Sequence, residues 1–268
     1  MALETNTIER LGDELFEALA ANRTVPNLRD RNPGMDIVDG YRVQERMIAR
    51  RLAAGESIVG KKIGVTSKAV QQAIGVFEPD FGQLTSAMVV EDGAAIDLDR
   101  LIQPQAEGEI AFVLKQDLIG PGVTATDVLR ATDYVAACFE IVDSRIDDWD
   151  IRIQDTVADN ASCGIYALGR ERFDPRDVDL TLAGMVLERN GELAATGVGA
   201  AVQGSPLNSV AWLANTLGRL GIPFRDGEAI LSGSLGPMIR IADGDRLSVR
   251  IGGLGSCSLS FARGGRNA

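Results

Sequence analysis

Apolar residues recur with helical spacing over the first fifty residues and with shorter, glycine-broken periods after that. Ile8, Leu11, Leu15 and Ala18/Leu19 mark an amphipathic helix from Ile8 to about Asn22, with Asn6 and Glu9 offering a capping-box-like start. After a loop containing Pro26 and Pro33, a second helix is predicted from about Asp36 to Ala54, with Ile37, Tyr41, Ile48 and Leu52 on one side and Gly55 as its stop.

From Ser57 the pattern is that of strands. Ser57–Val65 reads as a strand, Ser67 caps a short helix through Ile74, and Met88–Val90 and Ala94–Ile96 form an expected hairpin turning at Asp92-Gly93. Glu107–Leu114 alternates strictly. Thr124-Ala-Thr-Asp127 opens a helix to about Tyr134 that feeds a strand over Ala136–Val142. Asn190-Gly191 joins Leu182–Leu187 and Leu193–Thr196 in a second hairpin, and Ser205-Pro206 starts a helix burying Val210, Leu213, Leu217 and Leu220. Four short strands follow, at Ala229–Ser232, Met238–Ile241, Arg246–Ile251 and Cys257–Phe261. Strands do not alternate regularly with long helices, so a doubly wound sheet is disfavoured. The expected fold is α+β: an N-terminal helical cap over 1–56 and, over 57–268, a mixed, mainly antiparallel β-roll or distorted barrel.

Composition narrows the chemistry. The 268 residues carry 27 basic and 38 acidic side chains, a net charge of −11 that repels nucleic acid and anionic membrane surfaces. No basic and apolar leader and no run of eighteen apolar residues is found, so a cytoplasmic location is expected. Cys138, Cys163 and Cys257 lack any metal or redox spacing and read as reduced core thiols. The chain contains no histidine, which removes every imidazole general base, Ser-His-Asp and Cys-His catalysis and H-E-x-x-H zinc chemistry. Acid–base work is left to carboxylate, lysine, tyrosine, cysteine or metal-bound water, and a carboxylate-held ion would be hard, such as Mg²⁺ or Mn²⁺.

Against that background Gln103-Pro-Gln-Ala-Glu-Gly-Glu-Ile-Ala-Phe-Val-Leu114 stands out. Glu107 and Glu109 lie two apart in a strand and point the same way, close enough to share an ion. Alone, such a pair reads as the wet face of an edge strand. Ala111 and Val113 continue the same face, however, so it should become buried, where like charges need a counter-cation. Glu140, between Phe139 and Ile141, completes a carboxylate triad. Lys61 and Lys62 fall on opposite faces of their strand, so one can point inward; beside a metal its pKa should fall. The polar run Gln154–Gly164 serves equally as a capped turn or as a holder of carboxylate or water. Gly227–Gly236 lacks the residues of a phosphate cradle.

The ordered motifs Gly60-Lys-Lys-Ile-Gly-Val-Thr-Ser67, Pro79-Asp-Phe-Gly82, Ile102-Gln-Pro followed by Glu107–Leu114, Glu140–Arg145, Asp148-Trp-Asp150, Asp155–Gly164 and Leu231–Pro237 resemble the 2-hydroxypenta-2,4-dienoate hydratases of the fumarylacetoacetate hydrolase superfamily. The resemblance implies a hydratase of meta-cleavage catabolism that converts a 2-hydroxydienoate to a 4-hydroxy-2-oxo acid. It also implies Mg²⁺ or Mn²⁺ on Glu107, Glu109 and Glu140, with Lys62, Asp80 and Ser162 at the other active positions. A homo-oligomer is implied too, able to associate with a sister decarboxylase or a downstream aldolase. Alternatives within the resemblance are 4-oxalocrotonate decarboxylation or a non-catalytic partner subunit. Gln105 stands where many relatives carry arginine.

Overall fold

A computed structural model describes residues 2–74 and 76–264. The first helices are α1 (Thr5–Ala20), α2 (Leu28–Arg31) and α3 (Ile37–Ala53). Ile8, Leu11, Leu15 and Ala18 of α1 are buried against Val43 and Met47 of α3. Gly12 makes this approach possible, since a Cβ there would sit 2.6 Å from Arg46 Cβ. Two sequence expectations are corrected. The α1 start carries no side-chain cap, because the helix begins at Thr5, upstream of the proposed Asn6/Glu9 box. The α3 stripe is rotated: Ile37 and Leu52 are exposed, while Val43, Met47 and Ile48 are buried. Asp36 does cap α3, accepting the Asp39 N–H at 2.9 Å, and Gly55 ends it with φ +100°.

The body continues with β1 (Ile58–Gly64), α4 (Lys68–Ile74), β2 (Asp80–Thr85), β3 (Val89–Glu91), β4 (Ala95–Asp97), β5 (Gln105–Leu114), α5 (Ala125–Ala131) and β6 (Thr132–Val142). Then come α6 (Ile153–Ala158), β7 (Cys163–Leu168), β8 (Gly184–Arg189), β9 (Glu192–Val198), α7 (Pro206–Arg219), β10 (Ala229–Ser234), β11 (Ile239–Arg240), β12 (Arg246–Ile251) and β13 (Ser256–Ala262). One sheet runs β2-β1-β10-β5-β6-β7-β3, with β11 added on β5; the other runs β4-β13-β12-β8-β9. Only β1–β10, β13–β4 and β3–β7 pair in parallel among the described residues, so the sheets are mainly antiparallel as expected. The Asn190-Gly191 hairpin forms as read, and α7 buries Val210, Leu213 and Leu217, but Leu220 lies past its end and is exposed.

The expected hairpin at Asp92-Gly93 does not form. β3 pairs with β7 and β4 with β13, in different sheets. The Asp92 carboxylate instead accepts the Ser258 N–H at 2.8 Å, and the Gly93 N–H donates to Ser258 O at 2.8 Å, so this turn carries the chain between sheets. The helix expected to reach Tyr134 stops at Ala131, and β6 begins at once, because Thr132, Tyr134 and Val135 favour an extended backbone and pair with β5.

The two faces of β5 have different fates. Ala106, Ile110 and Phe112 join the main core between the sheets, together with Leu187, Leu247 and Val249. Ala111 faces a smaller cluster with Cys138, Cys163 and Leu231, and this is the face that carries the glutamates. We propose that 1–56 forms a cap on a catalytic body over 57–268; Ile146 and Ala158 of the body close the apolar cluster of the first helices. No helix among the described residues is long and apolar enough to cross a membrane.

Candidate metal centre and active site

Register brings the carboxylates together. Glu107 of β5 lies directly opposite Glu140 of β6, and Glu109 is one step further on the same face. One oxygen from each of Glu107, Glu109 and Glu140 falls within 4.8 Å of the others. Glu109 and Glu140 are buried, at 0% and 1% exposure, and Glu107 opens toward the cavity. Glu109 Oε2 accepts the Gly233 N–H at 2.8 Å, but Glu109 Oε1 and both oxygens of Glu140 have no hydrogen-bond partner. Three carboxylates this close together, with several oxygens lacking a hydrogen-bond partner, suit a hard divalent cation, and these residues fit one.

Without a cation such a cluster resists ionisation. Burial, and then the neighbouring Glu140, push the Glu107 pKa up to about 7. Glu109 is raised well above the usual carboxylate range by burial and by both other glutamates.

Lys62 projects from β1 onto this face, with Nζ 3.3 Å from Glu140 Oε1. Burial disfavours its charge, but Glu140, Asp80 and Glu107 outweigh burial and raise its pKa in the metal-free chain; the lowering expected from sequence is one that a bound ion would cause. Lys61, on the opposite face, is equally buried and paired with Glu228 over the Phe224 ring. Its pKa is the one that burial lowers.

Asp80 opens β2 across from Gly64 of β1. It is buried and neither oxygen is hydrogen-bonded. Burial, opposed by Lys62, pushes it up to about 6. A Cβ on Gly64 would fall 2.2 Å from Asp80 Oδ1 and 3.6 Å from Lys62 Nζ, so both tips converge over this glycine.

Ser162 ends a run of three left-handed residues, Asn160, Ala161 and Ser162, with φ between +50° and +56°. None is a glycine, so surrounding structure must impose the conformation. The Asn160 side chain bridges the N–H and C=O of Gln83. Arg145, fully buried, donates to Asp159 Oδ1 at 2.6 Å, to Asp143 O at 2.6 Å and to Cys163 O at 2.7 Å. The Gln154–Gly164 run thus acts mainly as a frame: its Asp155 accepts the Leu28 and Arg29 N–H groups, tying α2 to α6. Neither Arg145 nor Asp159 is marked by the sequence pattern beyond its place in a motif.

Lys62, Asp80, Glu107 and Ser162 line one cavity of about 750 Å³. Glu109 and Glu140 lie beneath it. Gln105, Trp149, Arg152 and Thr156 also line it.

Residues 60–261 match the family model described as fumarylacetoacetate (FAA) hydrolase C-terminal. The chain belongs to the fumarylacetoacetate hydrolase family. Within the family it is 57% identical over 256 residues to a 2-hydroxyhexa-2,4-dienoate hydratase of Comamonas testosteroni, covering 95% of this chain and 97% of the relative. It is 58% identical to a 2-hydroxypent-2,4-dienoate hydratase of Pseudomonas putida, covering 82% of this chain and all of that one. A 4-oxalocrotonate decarboxylase from Pseudomonas putida G7, complexed with magnesium and adipate, superposes with a TM-score of 0.94 at 37% identity over 97% of this chain and 99% of its own. A fumarylpyruvate hydrolase from Pseudomonas aeruginosa, complexed with Mn²⁺ and pyruvate, shares the fold with a TM-score of 0.61 at 15% identity, over 76% of this chain and 89% of its own.

For this fumarylacetoacetate hydrolase family member the geometry at Gly64 makes a direct prediction. Its φ is not left-handed, so alanine fits the backbone, but the added methyl must displace Asp80. Gly64→Ala is expected to keep its circular dichroism spectrum and lose about 100-fold in turnover, the scale of a 1 Å misplacement. Unchanged turnover would mean that the position of Asp80 is immaterial.

Proposed function

We propose that the chain is a divalent-metal-dependent hydro-lyase that adds water to 2-hydroxypenta-2,4-dienoate or a short alkyl homologue, giving the 4-hydroxy-2-oxo acid. The observation that carries the reading is the buried triad of partly orphaned carboxylates beside Lys62 at the floor of the cavity. The hydratase relatives at 57% and 58% identity support the reaction class, and the oxygen-only ligand set supports Mg²⁺ or Mn²⁺ as the ion.

Glu107, Glu109 and Glu140 would hold the ion, which when bound supplies fixed positive charge for the substrate's carboxylate and for an enolate at C2. Lys62, buried beside Glu140, delivers a proton to C5 while the 2-hydroxyl gives up its own, leaving a conjugated 2-oxo-3-enoate. Asp80, with both oxygens unpartnered, accepts a proton from the water that attacks C4, and the enolate so formed is protonated at C3, so that the protons lost by the 2-hydroxyl and the water match those gained at C5 and C3. Ser162 Oγ, 3.5 Å from Thr156 Oγ1, holds substrate or water at the cavity wall. A cytoplasmic homo-oligomer, alone or with a sister decarboxylase, belongs to the same proposal.

The test is ultraviolet-monitored loss of the C5 and C6 dienoates with Mg²⁺ or Mn²⁺, before and after chelation. The expected product is heavier by one water, and chelator should stop its formation. Decarboxylation of 2-oxohex-3-enedioate without dienoate hydration would overturn the assignment in favour of the decarboxylase.

A further inference from the structure

The cavity lining combines two chemistries. Lys62, Asp80 and Glu107 supply charge, whereas Gln105, Val142, Trp149 and Ile151 offer an amide and apolar surface. Gln105 precedes Glu107 and Glu109 on the same face of β5, with steps of about 6.5–7 Å between alternate residues. Its partner on β6 is Val142. Gln105 therefore lies one strand step beyond Glu107 on the face that lines the cavity.

Trp149 reaches this wall by an uncommon route. Asp148 and Trp149 are consecutive left-handed residues, φ +53° and +57°, and neither is glycine. Bulky residues hold such φ values only where the surroundings over-determine them, often at ligand clamps. Here the indole N–H donates to Gln103 O at 3.0 Å, and the Gln103 N–H is itself anchored on Asp143 Oδ1 at 2.7 Å. The one polar atom of the ring is thus satisfied by the protein, which leaves the indole to act as a flat apolar surface.

We propose that Trp149 and Gln105 form the subsite for the C4–C5 end of the substrate and set the length of tail the enzyme accepts. The inference rests on the hydratase reading above. A conjugated dienoate is planar and apolar beyond C3, which suits packing on an aromatic face. The Gln105 amide offers a donor and an acceptor to the oxygen that water places on C4. None of these four wall residues carries a charge that would pair with a second carboxylate; Arg152, an exposed lining residue, is the cation through which a dicarboxylate would be held instead.

Saturated 2-oxo acids have no carbon–carbon double bond to take up water, so their binding tests the subsite independently of turnover. With Mg²⁺ present, inhibition or binding constants should improve about fourfold per methylene from pyruvate to 2-oxopentanoate. In Trp149→Ala the gain should drop below about twofold with the pyruvate constant unchanged, while Trp149→Phe keeps most of the length dependence. In Trp212→Phe protein, where Trp149 is the sole indole, 2-oxopentanoate should alter the emission and pyruvate much less. Gln105→Leu should lower kcat about tenfold with little change in KM, by loss of a contact to the added oxygen. An unaltered length series in Trp149→Ala, an emission blind to 2-oxopentanoate, or tighter binding of a charged-tail 2-oxo diacid that is lost in Arg152→Gln would each overturn the proposal. Failure to hydrate dienoates with an intact length series would instead count against the hydratase reading.

Discussion

Glu109→Gln protein is expected to lose about 1,000-fold or more in turnover, yet to melt no lower than the parent when divalent cation is withheld. The loss follows from removing one of three anionic donors from a buried site that would hold a divalent ion. The retained stability follows from the sign of the local electrostatics. Glu109 is buried beside Glu107 and Glu140, and these neighbours disfavour its charge. A neutral amide of the same shape relieves that repulsion, and its carbonyl oxygen can still accept the Gly233 N–H now bonded to Glu109. The parent should gain melting temperature with added Mg²⁺ or Mn²⁺, because an ion that binds only the folded chain stabilises it by mass action. That gain should vanish in the variant. Calorimetry with and without chelator, alongside the dienoate assay, checks both halves; a full metal-induced shift in Glu109→Gln would remove this glutamate from the ligand set.

Lys62→Met should act in the opposite sense on stability. Its ammonium is the cation 3.3 Å from Glu140 Oε1, and both groups are buried. Removing one partner of such a pair leaves an uncompensated carboxylate, at a cost of about 3–5 kcal/mol. The metal-free variant should therefore melt below the parent, and added divalent cation should restore much of the difference by neutralising the same carboxylates. Metal affinity should hold or rise, since a competing positive charge has gone. Turnover should still fall about 100- to 10,000-fold, the range for loss of a positioned proton donor. Calorimetric titration separates affinity from rate, and a near-parental rate at saturating metal would exclude Lys62 from proton transfer.

The legible parts of the site were those written in local period. Glu107 and Glu109 share a face because strands alternate, and Glu140 stood out because a carboxylate between Phe139 and Ile141 has nowhere wet to go. The two lysines could not be ranked, because β1 lies between β2 and β10 and both of its faces are covered. Alternation separated Lys61 from Lys62 without saying what each would meet. The Asp92-Gly93 turn misled for a related reason: turn chemistry is local, whereas the choice of β7 and β13 as partners depends on strands 75 or more residues away. Arg145 and Asp159 sit in a polar stretch that ordinarily faces water, and their full burial depends on α6 and the start of β7 folding around them.

The facing of Glu107 and Glu140 across the β5–β6 ladder has a bearing on how such a chain can diversify. The ladder works as an addressing system, in which each rung specifies which side chains meet and a slip of one rung turns every side chain to the other face. The excursion over 115–131 between these strands lies outside the addressed rungs, so insertions there leave the carboxylate pairing intact, whereas a single deletion within 105–114 would readdress the whole face at once. A change of length is thereby accommodated in the connection, and a change of chemistry at single positions such as Gln105 whose address does not move.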